Sequence, residues 1–527
     1  MLPALNSPNK SVISKRLGII SRSHFYNTSQ KGKHPRMPLD IVKNVVDFYH
    51  REDITTTYPN KSKSGKPIQI MKFSRLRTFN IFRSELSDAK ISITTFNKLK
   101  PRQIKLSRCA KYFQCLCDIC DNFSMIYKAI KSSFNRAGVV MSIELETELA
   151  LAKHTVCSFA NLNCLDRSAK NCSVVSNKLR PLFNDWLVDD DHQKVSYLKW
   201  ERVLELIKGK QVLKMKKVPR SEYRWEVFSE LVMQMEKYPL HVKNACAQLH
   251  AYKQCKLSLG CDEAIVVRDF AENYVCRQFA EAQNAYYTRN SVTIHPMVVL
   301  FSTSQNVARD AVIMISDDLK HDSCAVKMFV KVLADHIKSK HPHISKLAFW
   351  SDGCGAQYKS RQPMHNIASA FDTGFEITWN FYGSRHCKSE ADGEAAVVKN
   401  ALDRRVKSEQ LTLNDGRDCF NLLNSSDLTC PQTNGSLRHF YYVDSPLIEC
   451  ERQAATQVCA IPQVRTVHQV QSIPDQLAIY HRRLSCYCDA ERCVHGANPW
   501  KLFKYPGREY IRYAFSPIPF YTFQCYF

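Results

Sequence analysis

Phe349-Trp350-Ser351-Asp352-Gly353, followed by Gln357-Tyr358-Lys359, reads as a buried strand that delivers a carboxylate to its C-terminal tip. An Asp before Gly at such a tip is either a turn residue or a ligand for a hard cation. Two further acids bear on the choice. Asp269 lies just past the apolar run Ala264-Ile265-Val266-Val267, and Asp392 opens the helical pattern Asp392-Gly393-Glu394-Ala395-Ala396-Val397-Val398-Lys399. Carboxylates from two strand ends and one helix suit a pair of Mg²⁺ (or Mn²⁺) ions, with Asp269 and Asp352 on one ion and Asp269 and Asp392 on the other. Glu394 sits about 200° around the helix from Asp392, so the two cannot enter one site, and the helix start selects Asp392.

The surrounding elements predict an α/β fold. Strand patterns cover 264–269, 291–301 and 310–316, then a helix Cys324 to Lys338, a strand 346–352, a helix near 364–372, a strand 376–382 and the helix after Asp392. Three strands in succession followed by alternating helix and strand is the layout of an RNase H-like core, a mixed sheet flanked by helices. The interval from Asp352 to Asp392 leaves room for one helix and one strand.

Several further stretches carry a resemblance: Asp269-Phe270-Ala271-Glu272-Asn273-Tyr274, Val292-Thr293-Ile294-His295-Pro296, Ser316-Asp317-Asp318-Leu319-Lys320-His321-Asp322, and His386-Cys387-Lys388. With Phe96-Asn97-Lys98-Leu99-Lys100-Pro101 and Cys486-Tyr487-Cys488, they extend it over most of the chain. The sequence resembles DDE/D transposases, and more closely a group of transposon-derived proteins common in invertebrate genomes. Cys387 departs from the His-Gly-Lys pattern of that group. The resemblance implies DNA strand cleavage and transfer, with transposon ends and target as double-stranded DNA partners. It places Asp269, Asp352 and Asp392 in the catalytic role; Lys359, Lys388 and His386 are candidates for phosphate contacts. Two rivals stay open: a domesticated DNA-binding protein without catalysis, and a metal-dependent nuclease.

Composition agrees with a polyanionic partner, since 74 Lys and Arg against 50 Asp and Glu leave a net charge of +24. Lys98, Lys100, Lys208, Lys210, Lys214, Lys216 and Lys217 are the DNA-binding candidates. Such clusters track phosphates or act as import signals, and a nuclear location is expected on either reading. No apolar run approaches the ~18 residues of a membrane span, and a homo-oligomer is expected because two DNA ends must be held together.

The chain divides by pattern into a basic disordered arm (1–38), a helical segment with a candidate helix-turn-helix (39–105), a Cys-rich segment (106–175), a helical scaffold (176–260), the catalytic core (261–407), a connecting segment (408–480) and a Cys-rich C-terminal region (481–527). In the second segment Ile93, Phe96 and Leu99 offer a plainer role as core contacts. Twenty-two cysteines point to structural zinc or to buried thiols. Cys117 and Cys120, spaced as a zinc pair, are predicted to close a site with Cys164 and Cys172. Relatives carry a further Cys where this chain has Ala169, so one site is expected there rather than two. A second candidate combines Cys486, Cys488, Cys493 and His495. His241 and His250 read as surface or core histidines.

Overall fold

Val266, Val267, Val298, Val299, Ile313, Ile315, Phe349 and Trp350 are almost wholly buried, and strands apolar on both faces need cover on both. A computed structural model describes residues 38–51, 54–61, 67–71, 73–86, 91–106, 117–188, 193–207, 209–303, 306–369, 373–386, 389–431, 436–455, 458–474, 476–488 and 498–506. The chain forms two compact units, Met1–Cys115 and Leu116–Phe527. The arm read at 1–38 lies, apart from Pro38, outside the described residues.

In the smaller unit the helices Leu39–Tyr49, Arg75–Glu85 and Ile93–Lys98 are joined by a sheet of β1 (Thr55–Lys61), β2 (Pro67–Met71) and β3 (Ile104–Lys105). The purely helical expectation is corrected accordingly. Phe96 is fully buried, with its ring 4.6 Å from Tyr49 and 4.9 Å from Phe82. The packing role thus explains the helix Ile93–Lys98. Lys98 is exposed at its last turn. Lys100 is buried and donates to the carbonyls of Pro101 and Ile104. Its ammonium is taken up by the backbone, which corrects its assignment as a DNA contact.

The larger unit begins with the helix Asp118–Ala137 and, after shorter pieces, the helix Val175–Val188. The predicted helical scaffold is then interrupted by a two-stranded ribbon, β4 (Lys194–Ile207) and β5 (Lys210–Tyr223), paired along its whole length. At about 3.3 Å per residue each strand is roughly 45 Å long. Gly209, at φ 76°, takes the left-handed conformation that reverses the chain. The helix Arg224–Leu257 follows.

A ten-stranded sheet makes the rest: β6 (Glu263–Arg268), β7 (Tyr274–Val275), β8 (Ser291–Ser302), β9 (Val307–Ser316), β10 (Lys346–Ser351), β11 (Glu376–Phe381), β12 (Arg438–Tyr442), β13 (Gln469–Ser472), β14 (Ala478–Arg482) and β15 (Lys501–Lys504). Its order is β12-β9-β8-β6-β10-β11-β13-β14-β15, with β7 beside β8. The strand β8 is antiparallel to both of its neighbours, β6 and β9, whereas β10 is parallel to both β6 and β11. The helix Ser323–Lys340 packs Phe329, Leu333 and Ile337 on one face. On the opposite face lie Val398 and Leu402 of the helix Glu390–Glu409, and Ala251 and Tyr252 of the long helix. The segment 408–480 is more than a connection: it supplies β12, β13 and most of β14 to the two ends of the sheet.

Candidate metal-binding carboxylate site

The register of the central strands brings the first two acids together. Val267 of β6 pairs with Trp350 of β10, and two residues further along each chain come Asp269 and Asp352. Adjacent strands are about 4.8 Å apart, so the two carboxylates leave the same end of the sheet side by side. The third acid, Asp392, stands in the first turn of the helix Glu390–Glu409, where its carboxylate accepts the Ser389 N–H at 2.8 Å in a capping box.

Electrostatics places the three in one neighbourhood. Burial, then the charges of Asp352 and Asp392, push the Asp269 carboxyl up to about 7. Burial is also the main cause raising Asp352, with Asp392 adding to it while the Cys354 N–H and Lys359 oppose. The Cys354 N–H donates to Asp352 Oδ1 at 3.1 Å. An all-oxygen donor set held against mutual repulsion is the chemistry that a hard divalent cation relieves.

The alternative acid is engaged elsewhere. Glu394 is buried and paired with Arg309 and Arg438, at 2.5 and 2.7 Å, as its angular offset from Asp392 requires. Behind the acids, Tyr358 and His295 are fully buried and share a 2.9 Å hydrogen bond. Arg268 lies fully buried with its guanidinium 3.8 Å from the Trp379 ring centre and 4.5 Å from that of Phe349. Side chains alternate across a strand, so this cation and Asp269 leave β6 on opposite sides.

Lys359, expected at a phosphate, is buried with its ammonium 5.0 Å from the Phe381 ring centre. Burial pulls its pKa down to about 7, against the attraction of Asp352. Lys388 lies outside the described residues.

His386 is found in a different group. Cys117, Cys120, His241 and His386 each offer one ligand atom, all within 4.8 Å of one another. Cys117 Sγ is 3.2 Å from His241 Nε2, Cys120 Sγ is 3.4 Å from His386 Nε2, and the two Nε2 atoms are 3.0 Å apart.

The predicted partners Cys164 and Cys172 lie instead in a separate buried cluster with Val156, Leu165 and Leu484. There Cys172 Sγ contacts Cys157 Sγ at 3.3 Å. The pair Cys117 and Cys120 was legible from its spacing, but its partners were not: His241 and His386 are 124 and 266 residues away from the cysteines they touch. His386 was singled out for a phosphate, and the structure sets it beside Cys120 and His241. In the C-terminal candidate, Cys486 and Cys488 are half-buried, while Cys493 and His495 lie outside the described residues.

Of the ribbon lysines, Lys214, Lys216 and Lys217 are exposed on β5. Lys216 pairs with Glu205, and Lys217 lies 3.2 Å from Asp121 and over the Trp200 ring. Lys208 and the side chain of Lys210 lie outside the described residues. No helix among the described residues is long and apolar enough to cross a membrane.

A family model described as a domain of unknown function (DUF8701) matches residues 248–485, fewer than half of the 527. The matched stretch contains β6 to β14, all three acids and His386, and leaves out Cys117, Cys120 and His241. No curated protein and no solved structure matches the chain.

Proposed function

We propose that the larger unit is an RNase H-like nucleotidyl transferase of the DDE/D type, which cleaves DNA strands and joins them to a target. The observation that carries this reading is the register that sets Asp269 and Asp352 side by side at the ends of β6 and β10, with Asp392 near enough to join burial and Asp352 in pushing the Asp269 carboxyl up to about 7. The strand order β9-β8-β6-β10-β11, antiparallel in its first three and parallel in its last three, supports the fold assignment.

The donor set fits Mg²⁺ or Mn²⁺, which Asp269, Asp352 and Asp392 would hold. When bound, such ions supply positive charge to a phosphodiester and acidify an attacking water or 3′-hydroxyl. The protein's own part is orientation. The Cys354 and Ser389 N–H groups fix the carboxylates of Asp352 and Asp392. The buried pair of Tyr358 and His295 braces the turn that follows Asp352. Lys214, Lys216 and Lys217 on the ribbon are the candidate DNA contacts among the described residues, and a two-stranded ribbon fits a major groove.

Purified full-length chain, incubated with Mg²⁺ or Mn²⁺, a supercoiled plasmid and duplexes taken from the DNA flanking its gene, tests the proposal. Joined products support strand transfer. Cleavage alone favours the nuclease reading, and binding without either favours a DNA reader that has lost catalysis.

A further inference from the structure

Four side chains with the donor types of a zinc site converge from three separate elements of the larger unit. Cys117 is the N-cap of the helix Asp118–Ala137 and Cys120 lies in its first turn. His241 is in the middle of the helix Arg224–Leu257, two residues past Pro239. His386 is in the loop between β11 and the helix Glu390–Glu409. With Zn–S near 2.3 Å and Zn–N near 2.0–2.1 Å, a tetrahedron has S···N edges of about 3.6 Å and an N···N edge of about 3.3 Å. The observed 3.2, 3.4 and 3.0 Å fall a few tenths below those edges.

The loop carrying His386 is held against both helices independently of the four donors. Arg385 pairs with Asp118. It adopts φ 65°, a left-handed conformation that a non-glycine residue rarely takes without support. A Cβ on Gly383 would meet the Ala245 backbone at 2.6 Å, so the loop lies directly on the long helix. The same contacts that aim His386 at the cysteines thus bring three elements to one point.

We propose that Cys117, Cys120, His241 and His386 form a structural zinc site that clasps the loop after β11 to the two helices. Binding of Zn²⁺ releases the two thiol protons, and two thiolates with two neutral imidazoles balance the ion's charge. His386 is six residues before Asp392, so the clasp also sets where the helix Glu390–Glu409 begins. That consequence rests on the carboxylate-site reading; the zinc site does not.

The test is elemental analysis and zinc X-ray absorption on the full-length protein, without DNA. The expected result is a zinc ion with two sulfur and two nitrogen ligands. Cys120→Ser and His386→Ala lose it, and Cys164→Ser and Cys172→Ser keep it. His386→Cys guards against simple misfolding, because it should retain zinc and shift the spectrum to three sulfurs. Zinc loss in Cys164→Ser with retention in His386→Ala overturns the assignment, as does a parent protein that takes up no zinc on refolding with it. The clasp is read by Mn²⁺ titration of zinc-loaded and zinc-depleted protein. At least tenfold weaker Mn²⁺ binding after depletion supports it, and equal binding overturns it. If the zinc-loaded parent binds no Mn²⁺, the carboxylate reading and the clasp's effect on Asp392 fall together, while the zinc ligand count stands.

Discussion

Replacing Asp269 with Asn, at unchanged size, removes the charge that its surroundings oppose. The interval from the usual aspartate value near 4 up to about 7 is three powers of ten in proton affinity, so keeping this carboxylate ionised costs up to about 4 kcal/mol. Below about pH 4 the carboxyl is neutral in the folded and unfolded chain alike, and the substitution should change little. Between pH 4 and 7 the unfolded chain has lost the proton and the folded chain keeps it. Parental stability therefore falls by roughly 1.4 kcal/mol per pH unit and levels off above pH 7. Asp269→Asn should be more stable than the parent at pH 8 by ~2–4 kcal/mol, a gain that vanishes near pH 4. The assay is urea denaturation at both pH values in buffer without Mg²⁺ or Mn²⁺, followed through the tryptophans, Trp350 of β10 among them. Adding Mn²⁺ at pH 8 should raise the parent's midpoint and leave the variant's nearly unchanged. A variant that is less stable than the parent at pH 8, or equally shifted at pH 4 and pH 8, would refute the repulsive cluster.

Asp352→Asn should abolish strand cleavage and leave DNA affinity intact or raised in a filter-binding assay, because one negative charge leaves the phosphate path. Lys359→Met should stabilise the folded chain at pH 7 by ~2–4 kcal/mol. The folded lysine has its pKa drawn down to about 7, so the parent's deficit is complete at and below pH 7 and is lost toward pH 10; denaturation at the two pH values checks the sign. Gly383→Ala puts a methyl against the Ala245 backbone and should cost about 1–3 kcal/mol, with weaker zinc retention against a chelator. Lys214→Ala combined with Lys216→Ala should lower DNA affinity and flatten its dependence on salt, measured as the slope of log K against log salt.

The central elements were legible because their runs are short, apolar and separated by clear breaks. The strand ending at Asp352 and the helix opening at Asp392 both stand within two residues of where the pattern put them. The ribbon was not, although its turn is signalled by Lys208-Gly209. That dipeptide reads as a basic cluster if only charge is counted, and the flanking alternation is diluted by exposed apolar residues such as Leu204, Leu206 and Leu213. Lys100 shows a similar limit: its sequence setting is basic and exposed, and only the fold reveals that Pro101 and Ile104 take its ammonium. The strand β12 pairs with β9, more than a hundred residues earlier, so no local pattern announces its place. The partners of Cys117 and Cys120 escape for the same reason.

Anomalous diffraction from crystals of the full-length protein soaked in Mn²⁺ gives the most direct test of the carboxylate site. The expected result is manganese bound among Asp269, Asp352 and Asp392 in the parent and absent from Asp269→Asn. Manganese bound elsewhere, with these three carboxylates left without an ion, would contradict the proposed site.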